Sequence, residues 1–260
     1  MTAIKLIVSD LDRTLLHTDK SLAAYTVDVL NRCREAGILL AFATARPHRA
    51  VQAYTARLAK PLDALIVHNG AQIYAGDVAF PVATISVALR DATLAVLSQK
   101  FPRATLSVEI DDTLYGNANL FEIWSNADAV LTDFSDLPLN PANKIIIGVK
   151  QTTDLEQYLT SIPDALYLEM SHGETNHLGL IMHRHATKWR GVQALAAHFN
   201  IDPAHIAAFG DDFNDISMLA NVGMGVAVAN AIPEAKNAAR FVCGTNNNNG
   251  PARWLEEYVL

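Results

Sequence analysis

Cysteine is nearly absent: Cys33 and Cys243 are the only two among 260 residues. They lie far apart in apolar surroundings and read as separate thiols, not as a disulfide framework or a thiolate metal site. No stretch reaches the roughly 18 uninterrupted apolar residues of a membrane span. The apolar run Ile4–Val8 is too short for a secretory core, and Asp10 and Asp12 interrupt it at once. Positive charge is in deficit, with 20 Lys and Arg against 27 Asp and Glu, a formal net charge of −7. Neither a nucleic-acid backbone nor an anionic membrane would be attracted to such a surface. A small anion in a locally positive pocket remains compatible with it. The expectation is a soluble, cytoplasmic protein with no nucleic-acid or membrane partner. There is no internal repeat, and the one low-complexity patch, Asn246 to Asn249, suits a turn or loop.

Half of the residues are hydrophobic and 18% are charged, which supplies a substantial core. Lys5 to Ser9 is a short β-rich run without alternation, as expected of a strand buried on both faces. Ser21 to Glu35 has helical spacing, closed by Gly37 in C-cap fashion. Ile38 to Ala43 reads as a second buried strand, Thr44 to Lys60 as a helix, and Ala64 to Val67 as a third strand. This βαβαβ rhythm predicts an α/β fold with a doubly wound, Rossmann-like parallel sheet. After Pro81 the pattern changes. One helix, Ser86 to Phe101, precedes the strand-like runs TLSVEI, KIIIGVK, ALYLEM and HLGLIMH, with a short helix at Asp154 to Thr160. From Thr187 the α/β rhythm resumes with helix Lys188–Phe199, strand Ile206–Phe209, helix Asn214–Ala220 and strand Met224–Val228. The simplest organisation is a core of residues 1–80 and 187–260 interrupted by an inserted α+β domain at 81–186.

In an open α/β sheet, ligands bind at the carboxyl ends of the strands. Asp10 and Asp12 follow the first strand in VSDLDRTLL, Thr44 and Arg46 follow the second in FATAR, and Asp211 and Asp215 follow Ile206–Phe209 in FGDDFND. Lys188 opens the preceding helix. Taken singly, each has a plainer reading: helix cap for an aspartate or Thr44, surface charge for Lys188. Together they form a pattern. Clustered carboxylates raise one another's pKa unless a cation lies between them. Oxygen-only ligands suit Mg²⁺, and a threonine hydroxyl and a lysine suit phosphate oxygens.

These segments resemble the motifs of the haloacid dehalogenase (HAD) superfamily, and within it the Cof-type phosphatases. DLDRTLL is similar to the first motif, FATAR to the second, Lys188 to the third and GDDFND to the fourth. HNGA at His68 and TNNNNGPA at Thr245 also resemble family segments, and the insert resembles the family's mobile cap. Arg13 stands where glycine is commonest, and Ala45 where it is frequent; Arg13 reads as an exposed loop side chain without function. The resemblance implies a Mg²⁺-dependent phosphatase of small phosphorylated metabolites, sugar phosphates among them. Asp10 would be the nucleophile that becomes an aspartyl-phosphate, and Asp12 the general acid and then base. The metal would be held by Asp10, the Asp12 carbonyl and Asp211, with Asp215 nearby. Thr44, Lys188, Asn214 and the N–H groups of Leu11 and Ala45 would hold the phosphate. The true dehalogenases lack the second aspartate, so Asp12 favours phosphoryl transfer.

Weaker candidates accompany these. Arg46 either reaches the substrate or makes a salt bridge. His68 and Asn69, in the expected first crossing into the cap, are candidate pocket residues. His172, Glu174, Asn176 and His177 form either a solvated turn or a polar cluster over the site. His183 and His185 lack helical zinc-site spacing and read as linker residues. Phe121 and Trp124, beside Glu122, are expected to build the cap core, with contact of one member with substrate as the alternative. The competing functions are a phosphomutase or a more specialised sugar-phosphate phosphatase on the same scaffold, a receiver-type phospho-accepting domain, and a silent binding protein. A receiver is far shorter and carries adjacent, not alternate, acids on its first strand.

Overall fold

The computed structural model describes residues 3–123, 128–172 and 177–260. It divides into two compact units, Met1–Val82 with Thr187–Leu260, and Ala83–Ala186. The first unit opens with β1 (Leu6–Ser9), α1 (Ala24–Glu35), β2 (Leu39–Ala43), a one-turn α2 (Gln52–Thr55), β3 (Ala64–Val67), β4 (Gln72–Ala75) and β5 (Val78–Pro81). The second holds α3 (Val87–Lys100), β6 (Thr105–Ile110), β7 (Thr113–Gly116), α4 (Leu120–Ile123), β8 (Ala129–Leu131), β9 (Lys144–Val149), α5 (Glu156–Leu159), β10 (Leu166–His172) and β11 (His177–His183). The first unit then resumes with α6 (Lys188–His198), β12 (Ile206–Gly210), α7 (Ile216–Asn221) and β13 (Met224–Ala227). It closes with α8 (Pro233–Ala238), β14 (Phe241–Val242) and α9 (Gly250–Tyr258).

The first unit is built on one sheet in the order β14-β13-β12-β1-β2-β3-β4-β5. From β14 to β3 the pairs are parallel; β4 and β5 are antiparallel additions. β1 shows why its sequence lacks alternation. Ile7 joins an apolar cluster with Leu30, Phe42, Phe209 and Trp254, while Leu6 and Val8 join another with Ile66, Val192 and Leu195 on the opposite face. With helices covering both faces, the strand is buried along its whole length and apolar up to Ser9. The fold is α/β with a doubly wound sheet.

The second unit is α+β. Its six strands run β10-β11-β9-β6-β7-β8, antiparallel except for β7 with β8. Leu94 and Leu97 of α3 pack with Leu106, Val108, Ile145, Ile147 and Ile181 on one sheet face. Ser86 caps α3, its hydroxyl accepting the Leu89 N–H.

Three sequence expectations change. Residues 44–60 do not form one helix. A 3₁₀ turn (His48–Ala50) and α2 stand there, because Pro47 disfavours helical backbone at Arg46 and the Thr44 hydroxyl accepts the Arg46 N–H in a local turn. His68 and Asn69 do not lead out of the core; the chain returns through the β4–β5 hairpin before leaving the unit. Phe121 is exposed, so it does not build a core. The side chains of Glu122 and His172, and the residues Trp124, Glu174 and Asn176, lie outside the described residues.

Candidate active site

β1 lies between β12 and β2 in parallel register, with Ser9 opposite both Phe209 and Phe42. The three strands therefore end at one level, and the residues just past their ends are brought together. The Asp10 N–H donates to the Phe209 carbonyl, which sets the buried Asp10 side chain at the sheet's carboxyl edge. The chain then winds through one wide turn, Leu11–Leu15, closed by the Leu16 N–H donating to the Leu11 carbonyl. Thr44 and Ala45 come directly after β2, and Thr44 is buried. Leu11 and Ala45 each sit two residues past the end of their strand.

Lys188, the first residue of α6, is fully buried below its N-cap Thr187. Its Nζ donates to Asp10 Oδ1 and Asp215 Oδ1, each at 2.6 Å. The other Asp215 oxygen accepts the N–H groups of Asp211 (2.9 Å) and Asp212 (3.1 Å), so that carboxylate is engaged on both sides. Gly210 allows this approach: a Cβ there would lie 2.5 Å from the Asp215 side chain. Asp211 Oδ1 accepts the Thr14 hydroxyl at 3.0 Å, and Oδ2 lies 3.6 Å from Arg13 Nε. Asn214 Nδ2 donates to Asn69 Oδ1 at 3.1 Å, so two candidates separated in sequence meet in the first unit.

Asp10, Asp211 and Asp215 offer oxygens that all lie within 4.8 Å of one another. Three buried carboxylates share one buried ammonium, with only the half-exposed Arg13 guanidinium near Asp211 besides, so negative charge is in excess when all three are ionised. Burial raises the Asp10 carboxyl well above its ordinary range, Lys188 opposes the rise, and Asp215 and Asp211 add to it. Burial, then Asp215, lifts Asp211 to about 6 against the Thr14 hydrogen bond. For Lys188, burial works against the charged form, but Asp10 and Asp215 outweigh it and hold the ammonium above its usual range. An all-oxygen donor set with excess negative charge fits a hard divalent cation such as Mg²⁺.

Asp12 is placed differently. Its carboxylate points to Arg46, which donates through Nε and Nη2 at 2.7 Å each, and to Lys20 Nζ at 2.9 Å. Burial alone would raise it, but those hydrogen bonds win and hold it at about 2. Arg46 thus forms the salt bridge, braced by Tyr54, whose ring centre lies 5.3 Å from the guanidinium. Sequence reasoning gave no role to Thr14, Lys20 or Tyr54. Thr14 and Lys20 come soon after Asp12 in the chain, which was the available signal. Tyr54 left none. The thiols are free: Cys33 is buried and Cys243 half-buried, and burial pushes them to about 11 and about 12. Among the described residues, no helix is long and apolar enough to cross a membrane.

Residues 7–255 match the family described as haloacid dehalogenase-like hydrolase. The Bacillus subtilis protein named "Putative phosphatase YxeH" is 29% identical, covering 98% of both chains. The 5-amino-6-(5-phospho-D-ribitylamino)uracil phosphatase YitU of Bacillus subtilis is 26% identical over 97% of both. Among solved structures, the HAD subclass IIB sugar phosphatase BT4131 superposes with TM-score 0.78 at 20% identity, covering 98% of each chain.

Proposed function

Because the chain belongs to the haloacid dehalogenase-like hydrolases and is a phosphatase, we propose that it hydrolyses small phosphorylated metabolites through a phosphoryl group carried on Asp10. The bridge from Lys188 to Asp10 and Asp215, beside Asp211, is the observation that supports this reading most. A nucleophilic oxygen, a fixed positive charge and a cation-binding carboxylate would then share one buried cluster.

In the proposed reaction an Asp10 oxygen bonds to phosphorus as the ester oxygen departs, and Asp12 gives that oxygen its proton. Asp12 then takes a proton from water, whose oxygen bonds to phosphorus and releases phosphate and the Asp10 carboxylate. Asp12 is ionised in its pair with Arg46 and Lys20, the form needed for the second step. Its first role requires that pair to open as the ester enters. Thr44, Lys188, Asn214 and the N–H groups of Leu11 and Ala45 would position the phosphate oxygens. Asp10, the Asp12 carbonyl and Asp211, with Asp215 behind them, would hold Mg²⁺. When bound, that ion would neutralise charge on the cluster and on the transferred group. The inserted unit would act as the cap that excludes water and selects the leaving group.

Sugar phosphates and other phosphorylated metabolites are the proposed substrates, in keeping with the relatives' range. Phosphate release from a panel of such esters, with Mg²⁺ and then with excess chelator, tests this. Metal-dependent turnover of several esters is expected. Isomerised product without released phosphate would replace hydrolysis with mutase chemistry.

A further inference from the structure

Arg13 occupies a position with unusual constraints. Its backbone is left-handed (φ 62°, ψ 3°), a region that residues bearing a Cβ populate sparsely. The conformation is anchored, since the Arg13 carbonyl accepts Asn230 Nδ2 at 2.8 Å. From this pivot the side chain, 54% exposed, brings Nε to 3.6 Å from Asp211 Oδ2. The other Asp211 oxygen takes the neutral Thr14 hydroxyl. A hydroxyl beside a metal-binding carboxylate is compatible with a bound cation. A guanidinium has only donors, keeps its charge at any working pH and repels a second cation. Arg13 is exposed as expected, yet it is not remote from the acidic cluster.

Building on the metal site of the preceding reading, we propose that Arg13 is a tethered counter-ion of Asp211, which an incoming divalent cation must displace, and that it lowers the site's divalent-ion affinity. Exposure lets the side chain swing into solvent, so it competes with the ion without blocking it. The effect is an electrostatic one between a half-exposed guanidinium and a buried carboxylate, open to solvent on the guanidinium's side. It is therefore moderate and sensitive to salt.

The test is Mn²⁺ binding to the full-length protein, read from the paramagnetic resonance signal of free Mn²⁺ at neutral pH and low salt, with no substrate present. Arg13→Gln should bind Mn²⁺ about three- to tenfold more tightly than the wild type, and Arg13→Lys within about twofold of it. The difference should shrink towards unity near 1 M salt, where the screening length is about 3 Å. Unchanged or weaker binding by a folded Arg13→Gln protein overturns the proposal. So does equal tightening by Arg13→Lys, which would assign the effect to side-chain shape. Asp211→Ala separates the two levels of inference: it should weaken Mn²⁺ binding strongly. Binding that Asp211→Ala leaves intact would overturn the metal site itself, and Arg13's role with it.

Discussion

Lys188 Nζ stands 2.6 Å from Asp10 Oδ1 although the two residues are 178 positions apart, and neither side chain is open to solvent. The same ammonium holds Asp215 at 2.6 Å. Removing it leaves two buried carboxylates facing each other. Lys188→Met should therefore lower kcat/KM by about 10²–10³, if Lys188 is the proposed charged donor to the transferred group. It should also destabilise the metal-free protein by roughly 3–5 kcal/mol, the usual scale for breaking a buried ion pair. Steady-state kinetics and urea unfolding read the two losses separately. Full activity would show that another cation does this work.

Asp211 gives a pH dependence with a definite sign. Its folded-state pKa, about 6, is raised above the ordinary 3.8. Ionising it in the folded, metal-free protein therefore costs stability. That cost is absent below about pH 4, grows as pH rises through 6, and is fully present above. Asp211→Asn should accordingly stabilise the metal-free protein at pH 7 and lose that advantage at pH 4. Denaturant unfolding at the two pH values, with chelator present, measures it.

Asp12 carries the opposite sign. Arg46 and Lys20 depress it from 3.8 to about 2, so its stabilising contribution is complete above about pH 4 and disappears as pH falls towards 2. Asp12→Asn should be less stable than the wild type at pH 6, and the gap should close under acid. A gap independent of pH would mean that the ion pair contributes nothing.

Gly210 is needed for space. A methyl group there would meet the Asp215 side chain at 2.5 Å, in a buried position where that side chain also accepts the Asp211 N–H. Gly210→Ala should cost roughly 1–3 kcal/mol by overpacking. It should also weaken activity more than an equally destabilising change in the inserted unit. Comparing rates at matched stability distinguishes site distortion from general loss of fold.

The strand ends were legible in the sequence because buried parallel strands are uninterrupted apolar runs, and acids placed directly after them stand out. VSDLDRTLL and FGDDFND were visible for that reason. The partners of those acids were less so. Thr14 reaches Asp211 across 197 positions, and only the parallel pairing of β1 with β12 brings them together. The segment 44–60 misled because its alanines and apolar residues suit a helix, while Pro47 and the Thr44 hydroxyl favour turns. The β4–β5 hairpin escaped notice because its strands are four residues each, and β5 is largely exposed. Arg13 is exposed, as its loop position suggests, but its approach to Asp211 left no signal in the sequence, because a long exposed side chain can still reach a buried carboxylate.

Asp10 is the proposed acceptor of the phosphoryl group, and the whole reaction depends on it. Turnover of a generic aryl phosphate by Asp10→Asn, in protein shown by circular dichroism and thermal unfolding to be folded, tests it most directly. A fall of about 10⁴-fold or more is expected from loss of a nucleophile. A folded Asp10→Asn protein that releases phosphate within about tenfold of the wild-type rate would contradict it.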